Sequence, residues 1–417
     1  MSFRVLFPIF FILVIIGLDF YVIKGLRSTF RVGWPLRIAL IVEWTSILVT
    51  AVTFVGIIMT FSGIITRQNA FTNLLTGLTL TFFVTKLTFA VFLFGEDLVR
   101  GVVWVGQQIA ALFRSDGEAV SLASRRKFVG QIGLVVAAIP FSGFFYGFVR
   151  GIYDFKVHRM RLAFPDLPPA FAGFRIVQIS DIHSGSFANG NVLEKGARII
   201  MEQDPDLILF TGDMVNNIAP EIEPYLDILA GLSGKYGKYA VLGNHDYGVY
   251  RSWSSPEAKA ANLEKLKGHH KTMGFDLLNN ENRVIEKEGQ RIRLVGVENW
   301  GDPPFPQHGD LDRALEGVAE DEFVVLMSHD PTHWDAKVRP GAKQVHLTLS
   351  GHTHGAQIGV EIPGFRFSPV QLRYSRWAGL YEEADEKLYV NRGFGFIGYP
   401  GRIGIWPEIT VIELARA

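Results

Sequence analysis

The chain has 417 residues, which is long enough for two or three domains. Its 41 basic and 41 acidic residues cancel, so no net field attracts nucleic acid, and we predict no nucleic-acid partner. The absence of cysteine excludes disulfides and thiolate metal sites, so any metal has to be held by His, Asp, Glu or Asn.

The first 149 residues are strongly apolar and are predicted to form a transmembrane domain. Four apolar stretches are each long enough for a helix that crosses the hydrocarbon core, which needs about 20 residues. They lie near residues 3–23, 38–62, 70–95 and 128–148. The chain is therefore predicted to be a multi-pass integral membrane protein, with the lipid bilayer as its first partner.

The basic residues of the connecting segments predict the orientation in the membrane. Two connections, residues 24–37 and 96–127, carry nine Lys and Arg residues, whereas the segments on the other side carry six. Because basic residues are retained on the cytoplasmic side, these two connections are predicted to be cytoplasmic. Everything after residue 150 then lies outside the cytoplasm, on the outer side of the plasma (inner) membrane.

Three ionisable residues lie within the predicted spans: Asp19, Glu43 and Lys86. The simplest interpretation is a polar cluster between helices in which the charges neutralise one another. The alternative is an ion or substrate path, because charges within a membrane are candidates for function.

After residue 150 the charge density becomes that of an ordinary globular domain. Residues 150–165 are basic and aromatic and are predicted to be a juxtamembrane connector at the level of the lipid headgroups. In residues 166–417, short aliphatic runs alternate with helical patterns, which is typical of an α/β domain. The clearest strand-like runs are "FRIVQIS", "LILFTG", "KYAVLG", "RLVGV", "FVVLMS" and "HLTLSG".

The polar residues that follow these runs predict a functional site. Five runs lead directly into Asp, Asn or His, at the edge where open α/β sheets bind ligands. In the first and last of these groups an Asp or His is followed two residues later by His, so that both side chains of a pair point to one side of an extended backbone. The predicted metal ligands are Asp181, His183, Asp213, Asn244, His329, His352 and His354.

The chemistry of these ligands predicts the kind of metal site. Oxygen and imidazole ligands without sulfur suit Mn²⁺, Fe or Zn²⁺ better than Mg²⁺ or Ca²⁺. The candidates outnumber the ligands that one ion needs, which indicates two divalent ions with a shared carboxylate. Glycines 212, 243 and 351 precede ligands and allow sharp turns of the backbone there.

The ordered blocks "DIH…GD…GNHD…H…GHTH", within residues 174–356, resemble those of the calcineurin-like metallophosphoesterases, and of their membrane-anchored subgroup in particular. The later segments "NRGFG" and "PEITVIEL" resemble the same subgroup. The resemblance implies a four-layer α/β/β/α sandwich of two mixed sheets after the helical membrane bundle. It also implies the activity of a metal-dependent phosphoric ester hydrolase.

The resemblance further implies a role for each ligand. A hydroxide shared between two ions would be the nucleophile, and His245 would protonate the leaving oxygen or stabilise the transition state. Asn244 would be catalytic with His245, because an uncharged ligand keeps the site electrophilic. One ion would be held by Asp181, His183, Asp213 and His354, and the other by Asp213, Asn244, His329 and His352, with Asp213 bridging.

One block departs from the family pattern. Relatives that dephosphorylate proteins carry Asp and Arg where "GDMVNN" has Asn216 and Asn217. Asn216 could still hold His245 by a hydrogen bond, but it cannot stabilise an imidazolium as a carboxylate does. The missing arginine argues against a phosphoprotein phosphatase.

Three arginines interleaved with aromatic residues follow the histidine pair: Arg366, Arg373 and Arg376. They are candidates for binding the substrate or an anionic headgroup. The alternative is a structural set of solvated arginines.

These features predict a membrane-anchored phosphodiesterase or pyrophosphatase that acts on a small-molecule, lipid-linked or envelope-derived substrate. A nucleotide phosphodiesterase or phosphomonoesterase is an open alternative. A second alternative is a transporter or sensor with a regulatory metal-binding domain. That alternative predicts a damaged ligand set or a missing His245, and the sequence has neither.

Overall fold

The computed structural model describes residues 3–61, 69–111, 123–341 and 343–417. The chain divides into two compact units, one of residues 1–66 and 71–146 and the other of residues 67–70 and 147–417. The first unit is helical, and the second contains every described strand.

The helical membrane bundle consists, in its described part, of four long helices, as predicted. They are α1 (Phe3–Phe30), α2 (Trp34–Phe61), α3 (Ala70–Ala111) and α4 (Ala123–Val149). Three stretches within the described residues are long and apolar enough to cross a membrane: Trp34–Gly56, Ala70–Ile109 and Arg125–Val149.

Helix α3 is longer than the predicted stretch of residues 70–95, because its charged residues are paired and do not end the helix. Glu96 and Asp97 both form ion pairs with Arg126 of α4, and Glu96 Oε2 lies 3.3 Å from the guanidinium. The 42 residues of α3 span about 63 Å, roughly twice the thickness of the hydrocarbon core. Helix α3 therefore extends beyond the apolar layer.

The predicted polar cluster forms within the helical unit. Lys86 Nζ lies 2.5 Å from Asp19 Oδ1 and 3.1 Å from Glu43 Oε1, and all three side chains are buried. A lysine placed between two carboxylates lowers the cost of burying all three charges. The contacts fit the interpretation as a neutralising cluster.

The globular unit contains, among the described residues, two six-stranded mixed sheets and a separate hairpin. In spatial order the first sheet is β1 (Lys156–Phe164), β14 (Glu408–Arg416), β2 (Arg175–Ile179), β3 (Leu207–Phe210), β4 (Lys238–Ala240) and β5 (Asp276–Leu277). The second is β12 (Gly379–Glu383), β13 (Glu386–Val390), β9 (Leu347–Ser350), β8 (Val324–Met327), β7 (Gln290–Gly296) and β6 (Glu281–Lys287). The hairpin pairs β10 (Val360–Ile362) with β11 (Phe365–Phe367).

The two sheets pack face to face with helices outside, so the predicted four-layer sandwich is confirmed. Apolar residues of both sheets, such as Leu209 and Leu349, share one buried core. A second core joins the first sheet to α5 (Asn191–Met201), α6 (Leu226–Ala230) and α7 (Pro256–Thr272), and a third joins the second sheet to α8 (Leu311–Ala314). Because strands β2 and β3 are covered on both faces, β3 is a continuous apolar run, and Gln178 is the one polar residue in the buried part of β2.

Residues 156–164 form a strand instead of part of the predicted connector. Strand β1 pairs in parallel with β14 over nine residues, from Lys156 opposite Glu408 to Phe164 opposite Arg416. Its buried residues alternate with exposed ones towards its end, as they do in a strand at the edge of a sheet. The connector is therefore shorter than its sequence composition indicates.

Candidate metal centre

The predicted ligands lie where strands of the two sheets end. Strands β2, β3 and β4 are parallel neighbours in the first sheet, and β8 and β9 are parallel neighbours in the second. Residues that follow parallel neighbours lie at one edge of a sheet. Asp181 and His183 follow β2, Asp213 follows β3, Asn244 follows β4, His329 follows β8, and His352 and His354 follow β9.

Most of these residues have a backbone conformation that L-amino acids disfavour. Five of the seven have a positive φ: Asp181 at 56°, His183 at 49°, Asp213 at 61°, His352 at 70° and His354 at 51°. Such conformations cost about 1–3 kcal/mol each and persist only where the surrounding structure enforces them. Strain concentrated in one small region is typical of a functional site.

The first group of ligand atoms belongs to Asp181, His183 and His354. One ligand atom from each side chain lies within 4.8 Å of the other two, and all three residues are buried. His354 Nε2 lies 3.3 Å from Asp181 Oδ1, and His183 Nε2 lies 4.0 Å from the same oxygen. These distances allow the three side chains to share one cation.

The second group comprises Asp213, His329 and His352, again with one ligand atom from each within 4.8 Å of the others. Asn244 joins this group, because its Oδ1 lies 3.1 Å from His329 Nε2 and 2.8 Å from His352 Nδ1. The structure therefore brings the predicted uncharged ligand into contact with two predicted imidazole ligands.

Asp213 lies between the two groups. Its Oδ2 is 3.6 Å from His183 Nε2 and 3.2 Å from His329 Nε2. The buried Nε2 of His354 makes no hydrogen bond with any described residue. Because a buried polar atom ordinarily has a partner, this orphaned nitrogen and the all-oxygen-and-nitrogen donor set fit a pair of divalent cations.

The charge states of the buried groups also suit metal ligands. Although burial opposes ionisation, the imidazoles of His329 and His245 hold the pKa of Asp213 well below its usual range. Burial, with the nearby imidazoles of His245 and His354, lowers the pKa of His183 well below its ordinary value. Burial also disfavours the charged form of His329, but Asp213 outweighs it and raises the pKa of His329 to about 10. A cation bound there would displace that proton.

His245 lies beside these ligands and is held by backbone contacts. The backbone N–H of His245 donates to Asp213 Oδ1 at 2.8 Å, and the ring Nδ1 lies 2.8 Å from the carbonyl oxygen of Asn216. Because a carbonyl only accepts, Nδ1 carries the hydrogen, and in the neutral ring Nε2 is free to accept a proton. The side chain of Asn216, which the sequence analysis considered for this role, instead donates to Ser186 Oγ at 3.0 Å.

Asp246 braces the loops that carry two ligands, a role that the sequence analysis missed. Its buried carboxylate accepts the backbone N–H groups of Gly243 at 2.9 Å, Asp213 at 3.0 Å, Met214 at 2.9 Å and Val215 at 3.3 Å. Burial and the nearby Asp213 raise the pKa of Asp246 to about 7. Its place in the "GNHD" block, in the loop that follows β4, was the available signal.

Further contacts hold the histidine pair. His352 Nε2 lies 2.7 Å from the hydroxyl of Tyr374 and 3.3 Å from Asp330 Oδ2. Arg402 is fully buried, and its Nη2 lies 3.0 Å from His354 Nδ1. Burial lowers the pKa of Arg402 to about 9. Asp330 directly follows a predicted ligand in sequence, but Tyr374 and Arg402 lie in loops for which no sequence signal existed.

Two of the three candidate arginines have structural partners. Arg366 Nη1 donates to the carbonyl oxygen of Ala378 at 2.6 Å, and its guanidinium lies over the ring of Trp377. Arg376 forms ion pairs with Asp335 and Glu383. These contacts favour the structural interpretation for both arginines.

Arg373 is the more available of these cations. Its side chain is half-exposed, and its nearest described carboxylate, Asp302, is 4.0 Å away. It lines an open groove of about 260 Å³ together with Thr332 and Tyr374. Because the Tyr374 hydroxyl also contacts His352, this groove adjoins the ligand groups.

Two family profiles match the chain. Residues 3–152 match the family described as "Probable Calcineurin-like phosphoesterase, transmembrane domain". Residues 174–356 match the family described as "Calcineurin-like phosphoesterase". The matched ranges contain the four helices and all seven predicted ligands, respectively.

Curated relatives of the chain are described as metallophosphoesterases or phosphodiesterases. The uncharacterized metallophosphoesterase YkuE of Bacillus subtilis is 30% identical over 304 residues, which are 70% of this chain and 97% of the relative. The transmembrane protein with metallophosphoesterase domain of Danio rerio is 28% identical over 312 residues, which are 73% of this chain and 66% of the relative. The phosphodiesterase YaeI of Escherichia coli is 28% identical over 299 residues, 70% of this chain and 100% of the relative.

The sandwich of two mixed sheets, with a cluster of oxygen and nitrogen donors at the strand ends, defines a metal-dependent phosphoric ester hydrolase. The chain belongs to the calcineurin-like phosphoesterase family, in a form joined to a transmembrane domain. The predicted family, fold class and enzyme class are thereby confirmed. The family implies a dinuclear site for divalent ions, and the transmembrane domain makes the chain a membrane protein.

Proposed function

We propose that this metallophosphoesterase is a phosphodiesterase or pyrophosphatase for a lipid-linked or envelope-derived substrate. In this proposal two Mn²⁺, Fe or Zn²⁺ ions are bound, and the globular unit lies outside the cytoplasm at the plasma membrane. The observation that carries the proposal is the position of Asp213 Oδ2 within 3.6 Å of His183 and 3.2 Å of His329.

The ligands of each ion follow from the two groups of contacts. Two cations would supply the positive charge that lowers the pKa of a water and neutralises the phosphoryl oxygens. The carboxylate of Asp213 would serve both ions, and the strained backbone of the ligand loops fixes the donors before substrate binds. One ion would be held by Asp181, His183, Asp213 and His354, and the other by Asp213, Asn244, His329 and His352.

His245 is the proton donor to the leaving oxygen. Its Nδ1–H is bound by the carbonyl oxygen of Asn216, so the proton that is transferred resides on Nε2. The ring packs edge-on against His183, with centroids 4.8 Å apart, and faces Tyr250 at 4.4 Å. These two contacts and the Asn216 hydrogen bond restrict ring rotation, so that Nε2 keeps one orientation.

The neutral residues near His245 favour a diester over a monoester. A monoester dianion requires more positive charge at its binding site than a diester monoanion does. Asn216 and Asn217 occupy the positions at which protein phosphatases of this family carry Asp and Arg. The Asn216 amide is neutral and is bound to Ser186, and Asn217 offers no guanidinium to a second phosphoryl charge.

The membrane domain supports the proposed substrate class, and the basic residues of its connections support the proposed location. A chain held in the bilayer by its own helices meets lipid-linked substrates at high local concentration. The nine basic residues of the two longer connections, against six on the other side, favour an extracytoplasmic globular unit.

The test is hydrolysis by the full-length protein in detergent micelles with Mn²⁺. A chromogenic phosphodiester and the corresponding monoester are compared for the wild type, His245→Ala and His269→Ala. His269 is the matched control, because it lies on α7 and pairs with Glu223. We expect the diester to be preferred, His245→Ala to lower kcat by about 10²–10⁴-fold, and the control to change it by less than about twofold.

Two outcomes would contradict the proposal. A strong preference for the monoester would refute the diesterase assignment and would restore the phosphomonoesterase alternative. Equal kcat values for His245→Ala and His269→Ala would refute the role of His245 as proton donor.

A further inference from the structure

The hairpin that follows the histidine pair has one entirely apolar face. Val360 pairs with Phe367 and Ile362 pairs with Phe365, so all four side chains point to the same side of the two strands. Glu361 and Arg366, which pair with each other, point to the opposite side. The apolar and charged side chains of this hairpin therefore lie on opposite faces. Each face suits contact with a different environment.

The apolar face is exposed, although side chains of this kind are ordinarily buried. The exposed fractions are 45% for Val360, 58% for Ile362, 55% for Phe365 and 42% for Phe367. Leu372, five residues further along the chain, is 88% exposed. Single exposed apolar residues are common, but a contiguous apolar surface marks a site of interaction with a protein or a membrane.

The opposite face fixes the hairpin to the globular unit. Glu361 forms an ion pair with the buried Arg392, with Oε1 2.5 Å from Nη2. Arg366 donates to the carbonyl oxygen of Ala378 and stacks over Trp377. These contacts prevent the hairpin from rotating, so the apolar face stays directed away from the domain core.

We propose that the apolar face of the β10–β11 hairpin, together with Leu372, lies in the interfacial layer of the lipid bilayer. The same chain contains helices long and apolar enough to cross a membrane, so the globular unit is tethered to a bilayer. The last helix ends at Val149 and β1 begins at Lys156. The intervening residues span about 20 Å at most, so this tether is short.

The charge beside the apolar face suits the same partner. Arg373 is adjacent to Leu372 in sequence, and its guanidinium is half-exposed. A cation next to exposed aliphatic and aromatic side chains is the combination that binds anionic headgroups while apolar groups enter the acyl boundary. A soluble apolar partner would have no need of the arginine.

This contact would place the metal centre near the lipid headgroups. Strand β10 begins at Val360, six residues after His354, and the loop between them is held by the hydrogen bond from Gly359 N–H to Ile403 O at 2.9 Å. The proposed lipid-linked substrate would then need to leave the bilayer only slightly to reach the ligands. The membrane contact itself does not depend on catalysis, and its test measures no activity.

The chain has no cysteine, so a single introduced cysteine can carry a fluorophore at one chosen position. Phe365→Cys and Ile362→Cys are labelled with an environment-sensitive dye in the full-length protein. The protein is reconstituted in vesicles of phosphatidylethanolamine and phosphatidylglycerol. Val284→Cys on β6 is the matched control, because Val284 is also apolar and 45% exposed. Quenching is measured with nitroxide-bearing lipids and, separately, with iodide on both sides of the vesicle.

We expect nitroxide lipids to quench the dye at residues 362 and 365 and iodide to have little effect, with the reverse at residue 284. Iodide quenching at residue 365 equal to that at residue 284 would overturn the proposal, because the face would then be in water. Protection from iodide without nitroxide quenching would also overturn it and would indicate a protein partner such as a second copy. Because both variants replace exposed side chains, a folding failure in one leaves the other to decide.

Discussion

Glu408→Gln should destabilise the protein in a pH-dependent way. Glu408 is fully buried and accepts hydrogen bonds from Tyr389 and Thr410, and its Oε2 lies 2.6 Å from Arg392 Nη1. Burial raises the pKa of Glu408, but Arg392 outweighs burial and lowers the pKa to about 2. Relative to an ordinary value of about 4.3, this shift corresponds to about 3 kcal/mol of unfolding free energy at neutral pH.

The sign of the effect follows from the lowered pKa. The stabilisation is fully present above the ordinary pKa of about 4.3 and is lost as the pH falls towards 2, where the folded state also becomes protonated. Wild type and Glu408→Gln should therefore differ at pH 7 and converge in acid. For a globular unit of this size, about 3 kcal/mol corresponds to a Tm difference of roughly 6–12 °C.

The assay is thermal unfolding of the full-length protein in detergent, followed by tryptophan fluorescence from pH 7 down to acid. Glu413→Gln is the matched control, because Glu413 lies on the same strand and its side chain is half-exposed, with Arg161 at 3.6 Å. Exposed ion pairs contribute about 0–1 kcal/mol, so the control should stay close to the wild type. An unchanged Tm for Glu408→Gln at pH 7, or a difference that persists undiminished in acid, would refute the reasoning.

Three further predictions concern the metal centre. Asn216→Ala should change kcat by less than about threefold, because a backbone carbonyl holds His245; a loss of 100-fold would contradict this. His352→Ala and His354→Ala should each remove about one ion per chain in elemental analysis, since the two histidines belong to different ligand groups; unchanged metal content would contradict it. Gly243→Ala should lower the metal content, because a Cβ there would lie 2.2 Å from the bridging carboxylate, and wild-type content would refute this.

The convergence of the candidate ligand residues was predictable from the sequence, because apolar strands of the buried core lead into polar residues at the strand ends. Strands β2 and β3 are covered on both faces, so their residues are apolar apart from the exposed Arg175 and the buried Gln178. Asp181 lies two residues beyond the end of β2, and Asp213 lies three residues beyond the end of β3. One polar residue after a strand carries little information. The repetition of the pattern at five strand ends could be read without any knowledge of the tertiary contacts.

The groups that support the ligands were not predictable in the same way. Tyr374 and Arg402 reach the histidine pair from loops 22 and 48 residues away from their partners, so the contact exists only after the chain has folded. The acceptor for His245 Nδ1–H is a backbone carbonyl oxygen, which every residue possesses. Side-chain identity therefore contained no signal for it.

Strand β1 was not predicted, because its basic composition was given more weight than its alternation of apolar and polar residues. In "KVHRMRLAF", Met160, Leu162 and Phe164 alternate with the exposed Arg159 and Arg161. The period of two indicates an edge strand. The basic residues, which lie on the solvent side of the strand, also fit a segment at the lipid headgroups, and that interpretation was preferred in the sequence analysis.

The metal content of the full-length protein tests the shared-carboxylate centre most directly. The protein is loaded with Mn²⁺, freed of unbound ion and measured by elemental analysis. The wild type should hold about two ions per chain, and Asp213→Asn should hold less than about one, because this carboxylate lies 3.6 Å from His183 of the first ligand group and 3.2 Å from His329 of the second. The matched variant Asp276→Asn, at an exposed carboxylate paired with Arg283, should retain both ions. A wild type that binds only one ion, or an Asp213→Asn variant that keeps two, would contradict the shared centre.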